Sequence, residues 1–548
     1  MSGDGGLGRR LREAWYASPL HAWRISGDGP QDLTVALTDP WPGEADAGRE
    51  ILEGAFPVAG QVVHVGPDPW RTEGLTPGAA EVLHRFEWLR DLRDLGGDAA
   101  RRKARDLVGG WIETFDRWDR LAWRSDVLAA RLASWVATFG FFGESADEAF
   151  REAVLASLAR QHRHLLGALS SGPDGVARIE ALRGAIAAGV ALGQGGDRLQ
   201  GLVDRLDAAV REQILTDGGH RARSPRAQMT VLACLVDSRA ALRAASREST
   251  GALDDAIGRM TGILRMLRLG DGGLALFNGA TEGTVWRIDS LLARTESKVR
   301  AVGSAPDTGF ERLVAGRAVA VMDVGVPTVE EGLLHAGTLA FELSVGKERL
   351  IVNCGAAPAD PRWENALRAT AAHSTLVIDD TNSTEIDLRG GIGRAPTRVR
   401  VERWEADGAV WVEAEHDGYA ESHGVTHRRR LYMAAGGDDL RGEDVLTYTG
   451  GPGVRPAESV IRFHLHPRVA ASVVQNGAAA LLRTASGAGW RLRSAGGALR
   501  LQESVYFGDR GVLQRCRQLV LATPAGAVRE DGSLTIKWAL RREDRRAG

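Results

Sequence analysis

The chain has 548 residues, a formal net charge of -2 and a charged fraction of 26%. That length is too great for one hydrophobic core and predicts two or three domains. The balanced charge argues against a dedicated nucleic-acid-binding protein, which would carry a basic excess on one domain.

The three cysteines are far apart and odd in number, which argues against a disulfide framework and against a cysteine zinc site. Because no apolar run approaches about 18 residues, we expect no membrane-spanning helix. The N-terminal sequence has basic residues without an apolar stretch after them. We therefore expect no secretory signal and a cytoplasmic protein.

The predicted elements change once along the chain, from helices to strands. Residues 1–75 are rich in Gly, Pro and Trp and are expected to be irregular, with one short hairpin in "AFPVAGQVVHVG". Residues 76–270 carry apolar positions at helical spacing, as in "SDVLAARLASWVATF", and predict paired amphipathic helices. Residues 271–310 are expected to be a linker.

From residue 311 to residue 548 the apolar period is two, as in "AVAVMDV" and "LAFELSV", and turn residues recur between the segments. No helix of useful length separates these strands, which indicates an antiparallel sandwich rather than a parallel sheet. The predicted fold class is multidomain α+β: an (α/α) toroid-like helical domain followed by an antiparallel β-sandwich.

Several short motifs of the sequence together resemble those of the heparinase II/III family. They include "DGGHRARSP", "GDGGLALFNG", "HAGTLAFELSVGKERLIVNCG" and "RATAAHSTLVIDDTNS". The resemblance covers about residues 80–525 and implies a carbon–oxygen lyase that cleaves uronic-acid polysaccharides by β-elimination. That chemistry needs a group that neutralises the uronate, a base for the C5 proton and an acid for the leaving oxygen.

The family's sandwich motif, often His-x-His-Ala-Asp, aligns with Leu333, His335 and Gly337, so that only the second histidine is kept. The resemblance makes His335 a candidate for catalysis and for metal binding. Asn353 stands where the family often has a second metal ligand, an aspartate, and His373 matches the third ligand.

The helical motif of the family appears here as "ARSPRAQ", with Ala227 at its tyrosine position. Tyrosines occur only at positions 16, 419, 432, 448 and 506. The predicted helical domain therefore lacks the tyrosine acid or base of the family.

The turn "DGGHRARSP" precedes a helix start, with Ser224 as the N-cap and Pro225 at the first helical position. Because a helix N-terminus favours anions, we expect Arg221 and Arg223 to bind the uronate and His220 to act as the base. We also expect this turn to lie near His335. The alternative is a capped turn with solvated arginines.

His335, Asn353 and His373 could form a zinc site, but an amide oxygen is a poor zinc ligand. The favoured interpretation is a buried hydrogen-bonded cluster, in which His335 and His373 are close and no cofactor is required. A divalent metal remains the alternative.

The motifs "HDGY" and "THRRR" contain Tyr419, His416 and His427. Tyr419 is the best substitute for the missing phenol, and the two histidines are candidates for substrate binding. The alternative is a β-turn with a structural tyrosine.

The predicted function is a heparinase II/III-like lyase that acts on an acidic polysaccharide or oligosaccharide. One rival is a non-catalytic glycan-binding protein that has lost the family's acid and base groups. Another is a glycoside hydrolase, which would need two carboxylates across a cleft. The family resemblance implies the periplasm or cell envelope, in conflict with the cytoplasmic expectation.

Overall fold

The computed structural model describes residues 4–58, 60–66, 68–170, 172–328, 334–358, 360, 362–387, 391–448, 456–524 and 532–543. These residues divide into two compact units. The helical unit comprises Met1–Gln213 and Thr230–Ile257, and the sandwich unit comprises Ile214–Met229 and Gly258–Gly548.

Most of the α-helices precede the sandwich strands. They are α1 (Asp4–Tyr16), α2 (Pro19–Ile25), α3 (Ala45–Leu52), α4 (Pro77–Arg85), α5 (Leu89–Leu95), α6 (Gly97–Thr114), α7 (Ser125–Phe142), α8 (Glu148–Ala168), α9 (Gly175–Ala191), α10 (Gly196–Gln213), α11 (Pro225–Ala244), α12 (Gly251–Met266), α13 (Val285–Arg294), α14 (Glu364–Arg368) and α15 (Ala420–His423).

Helices α7 and α9 are buried on nearly every side and form the centre of the helical unit. Their backbones approach closely at Gly184, where a Cβ atom would lie only 2.5 Å from the Cα of Ala129. A helix that is apolar all round is typical of a buried position. The glycine is needed there because any side chain would push the two helices apart.

The strands begin with a hairpin near the N-terminus and then form the sandwich. They are β1 (Ala55–Val58), β2 (Gln61–His64), β3 (Ser304–Ala305), β4 (Phe310–Ala315), β5 (Ala318–Asp323), β6 (Phe341–Val345), β7 (Glu348–Val352), β8 (Leu376–Ile378), β9 (Val399–Ala406), β10 (Ala409–Tyr419), β11 (Val425–Met433), β12 (Asp439–Tyr448), β13 (Glu458–Leu465), β14 (Ala470–Val474), β15 (Ala479–Arg483), β16 (Gly489–Ala495), β17 (Ala498–Tyr506), β18 (Gln514–Pro524) and β19 (Ser533–Glu543).

Two antiparallel sheets make up the sandwich. One sheet has the order β14-β15-β16-β19-β12-β11-β10-β9, and the other has the order β17-β18-β13-β7-β6-β5-β4-β3, with β8 pairing to β13. Burial alternates residue by residue along β11, as expected for a strand with one face on the core. Side chains from both sheets meet in that core, where Phe341 stacks on Trp538 with ring centroids 5.6 Å apart.

The predicted fold class of helices followed by an antiparallel sandwich is confirmed. The short hairpin predicted in the first 75 residues is present as β1 and β2. The rest of that segment is more regular than expected, because α1, α2 and α3 lie in it. In α2 the hydroxyl of Ser18 accepts a hydrogen bond from the backbone N–H of His21 and Pro19 occupies the first turn, a helix start that the high Gly and Pro content obscured.

Two boundaries differ from the sequence prediction. Helix α13 lies inside the expected linker 271–310. The segment Ile214–Met229, predicted within the helical domain, belongs to the sandwich unit. Among the described helices, none combines the length and the apolar character needed to cross a membrane.

Candidate functional site

The turn "DGGHRARSP" is fixed by glycines and by an aspartate. Gly218 has a φ of +95°, and a Cβ atom on Gly219 would lie 1.7 Å from the hydroxyl oxygen of Thr308. Asp217 accepts hydrogen bonds from the backbone N–H and the hydroxyl of Thr308, at 2.7 and 2.6 Å. The turn is therefore anchored on the segment that leads into β4, which explains its place in the sandwich unit.

The predicted helix start at Ser224 and Pro225 is confirmed. Helix α11 begins at Pro225, and the hydroxyl of Ser224 accepts a hydrogen bond from the backbone N–H of Ala227 at 3.5 Å. Ala227 occupies the position of the family's tyrosine and is itself buried.

Arg223 points into the protein rather than toward solvent. Its Nε donates to the carbonyl oxygen of Thr308 at 2.7 Å, its Nη1 to that of Val326 at 3.0 Å and its Nη2 to that of Gly309 at 3.3 Å. Nη2 also donates to the carboxylate of Asp323. Arg223 is 5% exposed and Asp323 is 3% exposed. This geometry corrects the expected uronate contact of Arg223, because each of its nitrogens already serves the fold.

His220 is also buried, with 1% of its surface exposed. Its Nδ1 accepts a hydrogen bond from the backbone N–H of Ala222 at 3.1 Å, so the neutral ring carries its proton on Nε2. That nitrogen has no hydrogen-bond partner among the described residues. Burial and the nearby charge of Arg221 lower the pKa of His220 to about 4. The geometry suits a hydrogen-bond donor better than the expected base, which needs a free lone pair.

Asn278 links the turn to His335. Its Nδ2 donates to the carbonyl oxygen of Arg223 at 2.8 Å, and its Oδ1 accepts from the backbone N–H of His335 at 3.1 Å. The next residue, Gly279, donates its backbone N–H to Nε2 of His335 at 3.1 Å. The structure therefore places the turn beside His335, as the sequence predicted, with one asparagine between them.

His335 and His373 form a directed hydrogen-bonded pair. Nδ1 of His335 lies 3.1 Å from Nε2 of His373, and Nδ1 of His373 lies 2.8 Å from the carbonyl oxygen of Ala369. Since that carbonyl only accepts, Nδ1 of His373 carries its proton, and His335 donates through Nδ1. The expectation that these two histidines are close is confirmed. All four ring nitrogens are engaged.

This donor set does not fit a metal ion. Burial lowers the pKa of His335 well below its usual value and that of His373 to about 4. Both rings are therefore neutral, but a metal needs a free lone pair on each ring. Asn353 is committed as well, since its Oδ1 accepts from the N–H of Ser374 at 2.9 Å and its Nδ2 donates to the carbonyl of Leu276 at 3.2 Å.

Across the described residues, no cluster of three or more His, Cys, Asp or Glu side chains is arranged to hold a metal. Gly337, which replaces the family's aspartate, leaves room for the histidine pair. A Cβ atom at Gly337 would lie 2.8 Å from Cδ2 of His373. Leu333, at the family's catalytic histidine position, lies outside the described residues.

His416 and His427 lie inside the sandwich, where a second directed chain corrects their expected role in substrate binding. The N–H of Gly418 donates to Nδ1 of His416 at 3.0 Å, Nε2 of His416 lies 3.3 Å from Nδ1 of His427, and Nε2 of His427 lies 2.8 Å from the carboxylate of Asp444. Asp444 also accepts from Nε of Arg429 at 2.7 Å. Neither histidine is more than 1% exposed.

Tyr419 is fully buried, and its hydroxyl donates to the carbonyl oxygen of Leu376 at 3.0 Å. Burial raises the pKa of this phenol above its ordinary value. These contacts favour the structural alternative over the role of substitute acid or base. Arg221 is half-buried, and its carbonyl oxygen accepts from the hydroxyl of Thr328 at 3.3 Å.

Sequence reasoning missed the residues that immobilise these candidates. Gln228 holds the turn, because its Oε1 accepts from the N–H of His220 at 2.7 Å and its Nε2 donates to the carbonyl of Gly218 at 3.0 Å. Asn278 lies in the motif "GDGGLALFNG" within the expected linker, where no role was predicted for it. Asp323 lies within the strand pattern "AVAVMDV", and Asp444 lies on β12. No spacing in the sequence pairs them with their partners.

The chain matches the family model described as "Heparinase II/III-like, C-terminal" over residues 297–539. It is 33% identical over 558 aligned residues to FtsZ-localized protein C of Caulobacter vibrioides (strain NA1000 / CB15N). That alignment covers 97% of this chain and 94% of that protein.

Solved structures of the same fold are more distant in sequence. Heparinase III is 13% identical, with a TM-score of 0.70, over 95% of this chain and 88% of that one. Heparan sulfate lyase HepC of Pedobacter heparinus is 16% identical, with a TM-score of 0.61, over 92% of this chain and 83% of that one. At these identities the likeness shows the fold alone.

Proposed function

Since this chain belongs to the heparinase II/III-like family, we propose that it is a non-catalytic member, a binding protein on a lyase fold that works where FtsZ assembles. One observation carries the first half of this proposal. The histidines, the tyrosine and Arg223, which could move a proton or neutralise a uronate, are buried, and nearly all of their polar atoms are hydrogen-bonded within the protein.

β-Elimination requires a base with a free lone pair next to the substrate and an acid at the leaving oxygen. His335 and His373 have no free lone pair, and the hydroxyl of Tyr419 donates to a backbone carbonyl. A lyase would have to open these hydrogen bonds in every turnover, which would leave buried polar groups without partners.

The second half of the proposal follows from the relative whose printed name is FtsZ-localized protein C. The alignment spans nearly the whole of both chains, so the two proteins share both units. We propose the same localisation for this protein, with FtsZ as its direct or indirect partner. The three cysteines are free and buried, which suits the reducing cytoplasm.

Localisation is tested with a fluorescent fusion of the full chain expressed in Caulobacter vibrioides. We expect a band at the division site that disperses when FtsZ is depleted. A fusion that stays diffuse while FtsZ is present would reject the division-site proposal, and the fluorescent protein alone serves as the control.

Catalysis is tested separately. The purified chain is incubated with alginate, heparosan, hyaluronan and a bacterial capsular uronan, and the ultraviolet absorbance of the unsaturated uronate product is followed. We expect no product from any of the four. Cleavage of any one of them would overturn the non-catalytic proposal and leave the localisation result untouched.

The second candidate function is the lyase itself, acting on an acidic polysaccharide by β-elimination. The observation in its favour is the unpartnered Nε2–H of His220, from which a uronate carboxylate could accept a hydrogen bond. For that candidate, His220→Ala would lower turnover by about 10²–10³-fold, and Tyr419→Phe would be the control with little effect.

A further inference from the structure

A separate pocket lies wholly within the helical unit. Its volume is about 230 Å³, and its walls come from α7, α9, α11 and the chain around Pro40. Alanine side chains of the three helices form much of its surface. None of the catalytic, substrate or metal candidates discussed above lines it.

One arginine that lines the pocket, Arg183, has a nitrogen without a hydrogen-bond partner among the described residues. Arg183 is 9% exposed, and its Nη1 donates to the carboxylate of Asp237 at 3.2 Å. Its Nε is buried and has no hydrogen-bond partner among the described residues. An unpaired buried donor costs about 1–3 kcal/mol, so the guanidinium of Arg183 is incompletely satisfied within the protein.

Asp237 is held on its other side by Trp41, whose indole Nε1 donates to the carboxylate at 2.9 Å. Burial raises the pKa of Asp237 to about 6, although the positive charge of Arg183 opposes that rise. A hydroxyl group placed beside the Arg183–Asp237 pair could accept from the guanidinium and donate to the carboxylate.

The outer part of the pocket repeats the pairing of acid and base. Glu87 accepts from Nε of Arg85 at 3.1 Å, and its side chain is 42% exposed. Arg90 donates through Nε to Asp39 at 3.2 Å. Glu87 and Arg90 both line the pocket, so acceptors and donors alternate around an apolar alanine surface.

The charges decide the class of ligand. An anion would meet the carboxylates of Asp39, Glu87 and Asp237, and a cation would meet the guanidinium groups of Arg90 and Arg183. Each of these carboxylates already has a guanidinium partner: Arg90 for Asp39, Arg85 for Glu87 and Arg183 for Asp237. A charged ligand would therefore lose its hydration without meeting an unpaired opposite charge. A hydroxyl group can donate and accept at once and costs less to desolvate.

We propose that this pocket binds a small neutral polyhydroxyl molecule, with the size of one sugar ring. The volume lies below the range of about 300–1,000 Å³ typical of drug-sized ligands, which excludes an oligosaccharide within the pocket. The alanine wall receives the apolar face of the ring, and the Arg183–Asp237 pair takes one of its hydroxyl groups. This site is independent of whether the chain cleaves a polysaccharide.

The test measures binding of defined probes to the full chain by saturation-transfer NMR and calorimetry. The neutral rings are glucose, N-acetylglucosamine and myo-inositol, the charged rings are glucuronate and glucosamine, and the zwitterion is alanine. We expect at least one neutral ring to bind at about millimolar concentration and the charged probes to bind at least about tenfold more weakly. Tighter binding of glucuronate, glucosamine or alanine, or no binding of any neutral ring, would overturn the proposal.

A variant locates the binding. Ala240 is exposed and lines the pocket, so Ala240→Phe should obstruct it without disturbing the core. Its matched control is Ala208→Phe on α10, an exposed alanine outside the pocket. We expect Ala240→Phe to abolish binding and Ala208→Phe to retain it. Equal binding by the two folded variants would place the ligand elsewhere and reject this pocket.

Discussion

Nδ1 of His335 donates to Nε2 of His373 across 3.1 Å, in a relay that starts at the N–H of Gly279 and ends at the carbonyl oxygen of Ala369. This direction fixes the tautomer of both rings. Each imidazole therefore uses one nitrogen as a donor and the other as an acceptor, and the pair behaves as a structural element. Two aspartates of the family are replaced here, one by Gly337 and the other by Asn353, which agrees with that role.

The histidine pair predicts that folding requires no metal. Metal analysis of the purified chain should find no stoichiometric zinc, and the melting temperature should be the same before and after chelation. Free zinc at about 1,000 times its dissociation constant would add about 4 kcal/mol to the stability of a chain that binds it. Chelation would remove that stabilisation. One tightly bound zinc per chain would contradict the prediction.

Buried neutral histidines predict that stability falls on the acid side of neutrality. Burial lowers the pKa of His373 to about 4 and that of His464 to about 3. Above the ordinary pKa of 6.5, both rings are neutral in the folded and unfolded chains. Below it, only the unfolded chain takes up protons, so each ring lowers the unfolding free energy by about 1.4 kcal/mol per pH unit until its folded pKa is reached.

The measurement is thermal unfolding between about pH 7.5 and pH 5, in which the melting temperature should decrease as the pH falls. Burial raises the pKa of Glu342 to about 7, and that group acts in the opposite direction. A comparison with His464→Gln removes this common background. The variant should lose stability less steeply than the parent chain, and parallel curves for the two proteins would contradict the assignment.

The buried contacts of Arg223 predict that its substitution lowers the unfolding free energy rather than the affinity for a ligand. Arg223→Ala should lower the unfolding free energy by about 3–5 kcal/mol, because it leaves the carboxylate of Asp323 buried without its partner. Arg223→Lys should also destabilise, since an ammonium cannot reach three carbonyl oxygens and a carboxylate in the same geometry. Urea unfolding measures both.

The control for Arg223 is Arg205→Ala, at an exposed position on α10, which should change stability by no more than about 0.5 kcal/mol. The double variant Arg223→Ala with Asp323→Ala should be less destabilised than the sum of the single variants. Additive single effects would mean that the two side chains do not interact.

The buried hydrogen bond of Tyr419 predicts a small loss of stability when its hydroxyl is removed. Tyr419→Phe removes the hydrogen bond to the carbonyl of Leu376 and should destabilise by about 0.5–1.5 kcal/mol, measured by urea unfolding. Any uronate cleavage by the parent chain should persist in the variant. A loss of cleavage in a variant that remains folded would return the acid or base role to this tyrosine.

The sequence by itself determined the order of helices and strands, because the apolar period changes from 3.6 to two along the chain. It also identified the family through short words, the start of α11 at Ser224 and Pro225, and the proximity of His335 to His373. The helix start depends on local propensity and the family on short motifs, whereas the proximity of the two histidines was implied by the resemblance to that family.

Only the tertiary structure decided which candidates are buried. His416, His427 and Tyr419 have polar side chains that a sequence pattern associates with chemistry, and the sandwich buries all three. Arg223 meets its partner Asp323 a hundred residues later in the chain. Burial and long-range pairing arise when distant segments pack together, and therefore no local pattern could separate a functional group from one that holds the fold.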